Sequence, residues 1–258
     1  MLTPELWCGH RPHAGDDPAE ALRRRGLDPG ALTVLVMAKA PVPGRVKTRL
    51  CPPLTATAAA RLAAAALLDT VDSVDRLDAA SVGRVGKVIA LDGSLVDAVE
   101  GPLIAGRITS AGWTRIPQRG TSFADRLILA HGDAAGRGPV LQIGMDTPQL
   151  SGDLMAAASE ALFDRLVDAV VGPASDGGWW SLGVRNAQMA RALGDVPMST
   201  SDTGELTIRA LRADGLRVAL LPVLTDVDNF DDAAEVAGKA PGIRFARAFR
   251  AVSKATAA

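Results

Sequence analysis

The sequence predicts an α/β domain built on a mostly parallel sheet with helices on both faces. Short, nearly continuous apolar runs recur at residues 34–37, 87–91, 139–143 and 168–172. Strands buried on both faces read this way, without polar alternation. Segments with helical spacing separate these runs, as βαβ units require, so the crossovers are expected to be right-handed. At 258 residues and 48% hydrophobic, the chain can fill the core of one such domain. It shows no internal repeat and no low-complexity segment.

Taken in order, residues 1–30 read as an extension, with Pro4, Pro12, Pro18 and Pro29 and room for one short helix at 18–25. Cys8, His10 and His13 lie close together there but lack a fourth ligand and a zinc spacing. The domain is placed at 31–243. It opens with the strand at 34–37, which breaks into a loop at Pro41, Pro43 and Gly44. An Ala-rich helix follows at 55–77, with Thr55 as its cap and Leu62, Leu67, Val71 and Val74 on its buried stripe. After the strand at 87–91, weak strands are expected at 107–108 and 115–118, then a helix at 122–134. The strand at 139–143 leads to a helix capped by Ser151 and running to 166. Beyond the strand at 168–172 come an apolar run at 179–184, a helix at 203–213, a strand at 217–224 and a helix at 229–237. Residues 244–258 read as a basic, Ala-rich tail.

Composition narrows the function. Lysine and arginine total 28 against 29 acids, for a net charge of −1. A general nucleic-acid binder would be strongly basic, so no nucleic acid is expected as partner. No secretory signal is read at the start, and the most apolar stretch, 58–68, is too short and too Ala-rich to span a bilayer. Cys8 and Cys51 make no disulfide framework, and a cytoplasmic protein is expected.

Ligands of open α/β sheets bind beyond the carboxyl ends of the strands. Three such ends carry unusual residues. After the first strand come Lys39, Arg45, Lys47 and Arg49, while no Asp or Glu occurs from Pro29 to Leu68. Four uncompensated cations between a strand and a helix make an anion site, and the phosphate chain of a nucleotide fits it. The loop lacks the spacing of a Walker P-loop and the Gly-x-Gly-x-x-Gly of a dinucleotide fold. The second strand end is Gly144-Met145-Asp146-Thr147-Pro148, and the third is Asp226-Val227-Asp228-Asn229. Asp146 and Asp228 meeting above the sheet would bind Mg²⁺, an ion that takes one or two carboxylates and completes its shell with phosphate and water.

MAKAPVPGRVKTRL, QRGTSFADRL, GMDTPQL, GPASDGGWWSLGV, VPMSTSDTGELT and TDVDNFDD, in that order, resemble the bacterial DUF2064 family. These glycosyltransferase-like proteins are related to the 2-phospho-lactate guanylyltransferases. The resemblance covers about residues 32–243. It implies the GT-A fold of nucleotide-diphospho-sugar transferases, a Rossmann-like three-layer α/β/α sandwich with one nucleotide site. It places Lys39, Gly44, Arg45, Lys47, Thr48, Arg49, Gln118, Arg119 and Gly120 at the nucleotide. Asp146 would be the first metal ligand and Asp228 the second. Related enzymes close the site with Asp-Thr-Pro-Glu-Asp; here the segment reads Asp228-Asn229-Phe230-Asp231-Asp232, and Asp226 is the alternative ligand. The family often has Leu-Gly where this chain has Phe123-Ala124.

Asp176, Gly177, Gly178 and Trp179, with Thr200 and Thr203, are expected to bind the acceptor. Gly-Gly would let backbone approach the ligand closely. Of Trp179 and Trp180, one would face the pocket and the other the core. At least one hydroxyl among Ser199, Thr200, Ser201 and Thr203 is expected to cap the following helix. His131, on a helix, is given no role. The expected activity is a Mg²⁺- or Mn²⁺-dependent transfer in which Lys47 and Asp146 are the catalytic residues. Nucleotidyl transfer from a nucleoside triphosphate to a small phosphorylated acceptor is favoured. Glycosyl transfer from a nucleotide sugar is the first alternative, and a non-catalytic nucleotide-binding protein the second.

Overall fold

The computed structural model describes residues 32–80, 85–136 and 138–256. The expected N-terminal extension, including Cys8, His10 and His13, lies outside the described residues. The strands are β1 (Thr33–Lys39), β2 (Gly86–Asp92), β3 (Thr114–Pro117), β4 (Val140–Gly144), β5 (Ala169–Pro173), β6 (Trp179–Val184) and β7 (Val218–Leu220). They form one sheet in the order β3-β2-β1-β4-β6-β5-β7. All neighbouring pairs are parallel except those of β6, which runs antiparallel to both β4 and β5. β1 is an interior strand, buried from Thr33 to Ala38, with Val36 level with Ile89 on β2 and Ile143 on β4.

The helices are α1 (Ala56–Ala80), α2 (Gly101–Ser110), α3 (Phe123–Asp133), α4 (Gly152–Phe163), α5 (Thr203–Ala213), α6 (Phe230–Lys239) and α7 (Arg244–Thr256). They sort to both faces by the alternation of β1. Val34 and Val36 pack with Leu67, Val71, Ile104 and Met155 of α1, α2 and α4. Leu35 and Met37 pack with Leu127 of α3 and Leu211 of α5. The three-layer sandwich expected from the sequence is thus formed. Thr55 accepts from the Ala58 N–H at 3.2 Å, and Ser151 from Leu154 at 3.2 Å, as capping residues do.

The structure departs from expectation in four places. Residues 107–108 are not a strand. They close α2, whose Ile104 and Ile108 face the sheet and whose Pro102 sits in the first turn, where its missing N–H costs nothing. The strand expected at 217–224 is cut to β7, and Leu224 retains only an isolated bridge to Ala174. A 3₁₀ segment, Ala187–Leu193, was not foreseen. Finally, the segment from Arg244 is a helix packed on α1. Asp69 of α1 accepts from the backbone N–H groups of Arg244 at 3.0 Å and Phe245 at 2.8 Å, capping α7 from outside. Leu62 and Ala66 of α1 pack against Val236 and Phe245 on the side away from the sheet. Burial on two sides explains the alanines of α1, which let neighbours approach closely. No helix among the described residues is long and apolar enough to cross a membrane.

Candidate functional site

The chain leaves β1 for β2 on one side, while β4 lies on the other, so the sheet order reverses between β1 and β4. A crevice opens above such a point. The loops that follow these two strands carry the basic stretch and Asp146. They line a hollow of about 710 Å³ together with the segment holding Asp226 and Asp228.

The hollow is pinned at Val227, which is buried. Its N–H donates to the Asp146 carbonyl at 2.9 Å, and its carbonyl accepts from the Lys47 ammonium. With Val227 turned inward, Asp226 and Asp228 flank it and both line the hollow. The Lys47 Nζ lies 2.8 Å from Asp146 Oδ1 and its side chain is only 9% exposed. Burial pulls the Lys47 pKa down, but Asp146, Asp226 and Asp228 outweigh it and hold it above the ordinary lysine value. Lys47 also has φ 49, ψ 40, a left-handed backbone that costs a non-glycine residue on the order of 1–2 kcal/mol. Arg49 pairs with Asp228 nearer the surface. Burial, then the neighbouring Asp146 carboxylate, pushes Asp226 up to about 7 against the pull of Lys47.

Three aspartates therefore converge with one buried ammonium among them. Among the described residues no group of three or more His, Cys, Asp or Glu forms a ready-made metal cage. The donor set still suits a hard cation that keeps water and substrate oxygens in its shell, because two carboxylates suffice for it. The mutual repulsion of Asp146 and Asp226 is what such a cation would relieve.

The remaining expected residues fall into two groups. Lys39, Arg45, Thr48, Gln118, Asp176, Gly178, Trp179, Thr200 and Thr203 line the hollow with Lys47, Arg49 and Asp146. Gln118 is also a brace, donating to the carbonyls of Ala38 and Ala90 at 2.9 Å each. Gly44, Arg119, Gly120 and Gly177 do not line it. Arg119 is turned to Asp133 at the end of α3, 2.6 Å away. Gly177 makes a close approach, but to protein rather than ligand: a Cβ there would lie 1.8 Å from the Ser201 carbonyl. None of the four hydroxyls caps α5 either. Its cap is Asp202, without a side-chain bond, and the Gly204 N–H donates to Gly177 O at 2.8 Å. Thr203 instead bonds backward to the Pro197 carbonyl at 2.9 Å, fixing the loop. The pairing of β5 and β6 is irregular at Gly172 and Pro173, opposite the two tryptophans, and both of these line the hollow. Trp180 is buried and donates to Pro222 O at 3.0 Å; Trp179 is half-buried and donates to Thr207 Oγ1 at 3.2 Å.

Residues that sequence reasoning missed also line the hollow, notably Asp92, Phe123, Arg126, Gln142 and Met198. Gln142 had a legible signal, as a polar residue inside the apolar run PVLQI. Phe123 and Arg126 lie in the first turn of α3, and only the packing of that helix brings them here.

This is a GT-A-fold protein with an ion-paired crevice at its topological switch point. Residues 75–200 match the family model described as "Uncharacterized protein conserved in bacteria (DUF2064)". A crystal structure described as a candidate nucleotide-diphospho-sugar transferase from Desulfovibrio desulfuricans G20 is similar at TM-score 0.74 and 24% identity, covering 88% of this chain and 96% of that one. The 4-diphosphocytidyl-2C-methyl-D-erythritol synthase of Anaerococcus prevotii DSM 20548 is similar at TM-score 0.52 and 9% identity, covering 83% and 100%. Glucosyl-3-phosphoglycerate synthase of Mycobacterium tuberculosis, in complex with Mn²⁺, UDP and phosphoglyceric acid, is similar at TM-score 0.51 and 12% identity, covering 93% and 85%. At these identities the likeness establishes the fold. No curated protein matches the chain.

Proposed function

We propose that this protein is a divalent-metal-dependent transferase with a nucleotide donor, and that it moves a nucleotidyl group from a nucleoside triphosphate to a small phosphorylated acceptor. One observation carries the reading: the cations of the β1 loop, Asp146 at the end of β4, and Asp226 and Asp228 on the segment after β7 line one hollow at the switch point. The similar folds named above include a 4-diphosphocytidyl-2C-methyl-D-erythritol synthase and one holding Mn²⁺ and UDP, which supports a nucleotide donor and a metal.

In the reaction, an oxygen of the acceptor phosphate attacks the α-phosphorus. The bond from that phosphorus to the bridging oxygen breaks, and pyrophosphate leaves. Asp146, with Asp228 or Asp226, would hold the metal, which neutralises phosphate oxygens when bound. Lys39, Arg45 and Arg49 supply charge to the polyphosphate, and Thr48 a hydroxyl. Lys47 has three ammonium protons. Asp146 and Val227 engage two of them, and the third is left for charge that builds on the transferring group. No protein nucleophile is required. Glycosyl transfer is the second reading, favoured by the half-buried Trp179 as a wall for a donor sugar. Incubation with each nucleoside triphosphate, Mg²⁺ and a set of sugar and polyol phosphates should release pyrophosphate. Release of a nucleoside diphosphate from a nucleotide sugar, with no pyrophosphate from any triphosphate, would select the glycosyl reading.

A further inference from the structure

The Lys47 ammonium meets Asp146 and the Val227 carbonyl, but its apolar stem needs a wall as well, because the side chain is almost wholly buried and the backbone is left-handed. Beneath it is a small apolar gap, with no room for water, lined by Lys47, Leu50, Leu62, Val227 and Phe245. Phe245 comes from the C-terminal helix α7, which begins just past the last of the sequence motifs. It is 1% exposed and packs in one cluster with Leu50, Leu62, Val227 and Val236. Val227 is the link to the site. Its side chain is held in that cluster, while its N–H donates to the Asp146 carbonyl at 2.9 Å and its carbonyl accepts from Lys47. A shift of Val227 therefore moves both groups at once. The start of α7 is itself pinned to α1. Asp69 accepts from the N–H groups of Arg244 and Phe245 at 3.0 and 2.8 Å. One oxygen of Asp72 accepts from Arg244 at 2.7 Å, and the other from Arg107 of α2 at 2.8 Å. These charge-assisted bonds fix where the Phe245 ring lies.

Resting on the phosphate role given to Lys47 in the transferase reading, we infer that Phe245 is a positioning residue for the site: it holds Val227, and through Val227 it sets where the Lys47 ammonium and the Asp146 carboxylate stand. α7 is then part of the binding machinery, although none of its residues lines the hollow. A site built on aimed charges loses much of its effect when a group is displaced by about 1 Å. A Phe245 that served the core alone would act on melting and leave the ligand untouched.

The test is calorimetric binding of Mn²⁺ with inorganic tripolyphosphate to the full chain, at a temperature where the variants are folded. Phe245→Leu should weaken binding about three- to fivefold and Phe245→Ala about tenfold, as misaimed contacts to charge would. If the alanine variant does not fold, the leucine variant decides. Val252→Ala is the control, since Val252 lies in the same cluster on α7, two turns or about 10 Å further along. It should lower Tm and leave the affinity within about twofold of wild type. Lys47→Met should itself weaken binding by about tenfold. In that background Phe245→Leu should change the affinity by less than about twofold, because the contact it acts through is gone. Exchange of the Val227 amide, bonded to the Asp146 carbonyl, should quicken in Phe245→Leu and not in Val252→Ala. Unchanged affinity and unchanged Val227 exchange in Phe245→Leu would overturn this inference alone. An equal loss of affinity in Val252→Ala, or an undiminished effect of Phe245→Leu beside Lys47→Met, would do the same. No binding of Mn²⁺ and tripolyphosphate by the wild-type chain would overturn the phosphate role of Lys47 and this inference with it.

Discussion

Replacing Lys47 by alanine removes one ammonium and strips two acceptors of their partner, the Asp146 carboxylate and the Val227 carbonyl. A hydrogen bond to a charged group is worth about 1.5–3 kcal/mol. The Asp146 side chain is 36% exposed, so water recovers part of the loss, and the destabilisation is expected at about 1–2 kcal/mol. For a domain of this size that lowers Tm by about 2–8 °C. The backbone gives an internal control. Alanine keeps the left-handed penalty at φ 49, whereas glycine relieves about 1 kcal/mol of it. Lys47→Gly should therefore melt above Lys47→Ala, although both lack the ammonium. Both should lose transition-state stabilisation on the order of 2–4 kcal/mol, a drop of about 30- to 1000-fold in kcat and kcat/KM. Lys47→Arg should rescue only in part, since a guanidinium fork does not replace a compact ammonium. Calorimetric melting, nucleotide titration at two salt concentrations and steady-state rates read these out. Unchanged Tm, affinity and rate in Lys47→Ala would refute the role given to Lys47.

Three further outcomes are expected. Asp146→Ala should fold, by circular dichroism, and be inactive even in excess Mg²⁺; of Asp226→Ala and Asp228→Ala, the one that raises the Mg²⁺ requirement more identifies the second ligand, and normal activity of Asp146→Ala would remove the metal site. Asp168 is held at about 2, chiefly by its hydrogen bonds from Arg217. Its folded-state pKa lies below the ordinary value, so its contribution to stability is present above about pH 4 and lost as pH falls toward 2. Asp168→Asn should flatten the fall of Tm across that window, and an unchanged slope would contradict the assignment. Asp69→Ala should cost about 1–2 kcal/mol by uncapping α7, seen as faster amide exchange in residues 244–256; uniform exchange with wild type would show that the apolar contacts of Phe245 hold the helix alone.

Much of the fold was legible because its strands are buried on both faces, and such strands announce themselves as apolar runs. The strand expected at 87–91 runs one residue further at each end, the one expected at 168–172 is shifted by one residue, and the helix at 203–213 matched α5 in full. What escaped depended on tertiary partners. The antiparallel direction of β6 follows from the short turn at Asp176-Gly177-Gly178, which sends the chain straight back along β5. The fate of the segment after Arg244 rests on Asp69, 175 residues earlier. The site was legible as a set of chemistries but not as pairs. Nothing local ties Lys47 to Asp146, or turns Arg119 away toward Asp133. Gly177 was expected to let the backbone approach a ligand, whereas its close approach is to the backbone at Ser201.

The central claim is that the crevice between β1 and β4 binds a nucleotide through its polyphosphate with a divalent cation. Thermal melting with Mg²⁺ and each of the nucleoside triphosphates and common nucleotide sugars tests it most directly, because a ligand bound only by the native state raises Tm by mass action. At a hundredfold excess over Kd the stabilisation is about 2.7 kcal/mol, or roughly 5–10 °C here. The account predicts such a shift from at least one triphosphate, larger than from any nucleotide sugar, and lost in Asp146→Ala. No shift from any nucleotide in the wild-type protein, or an equal shift in Asp146→Ala, would contradict it.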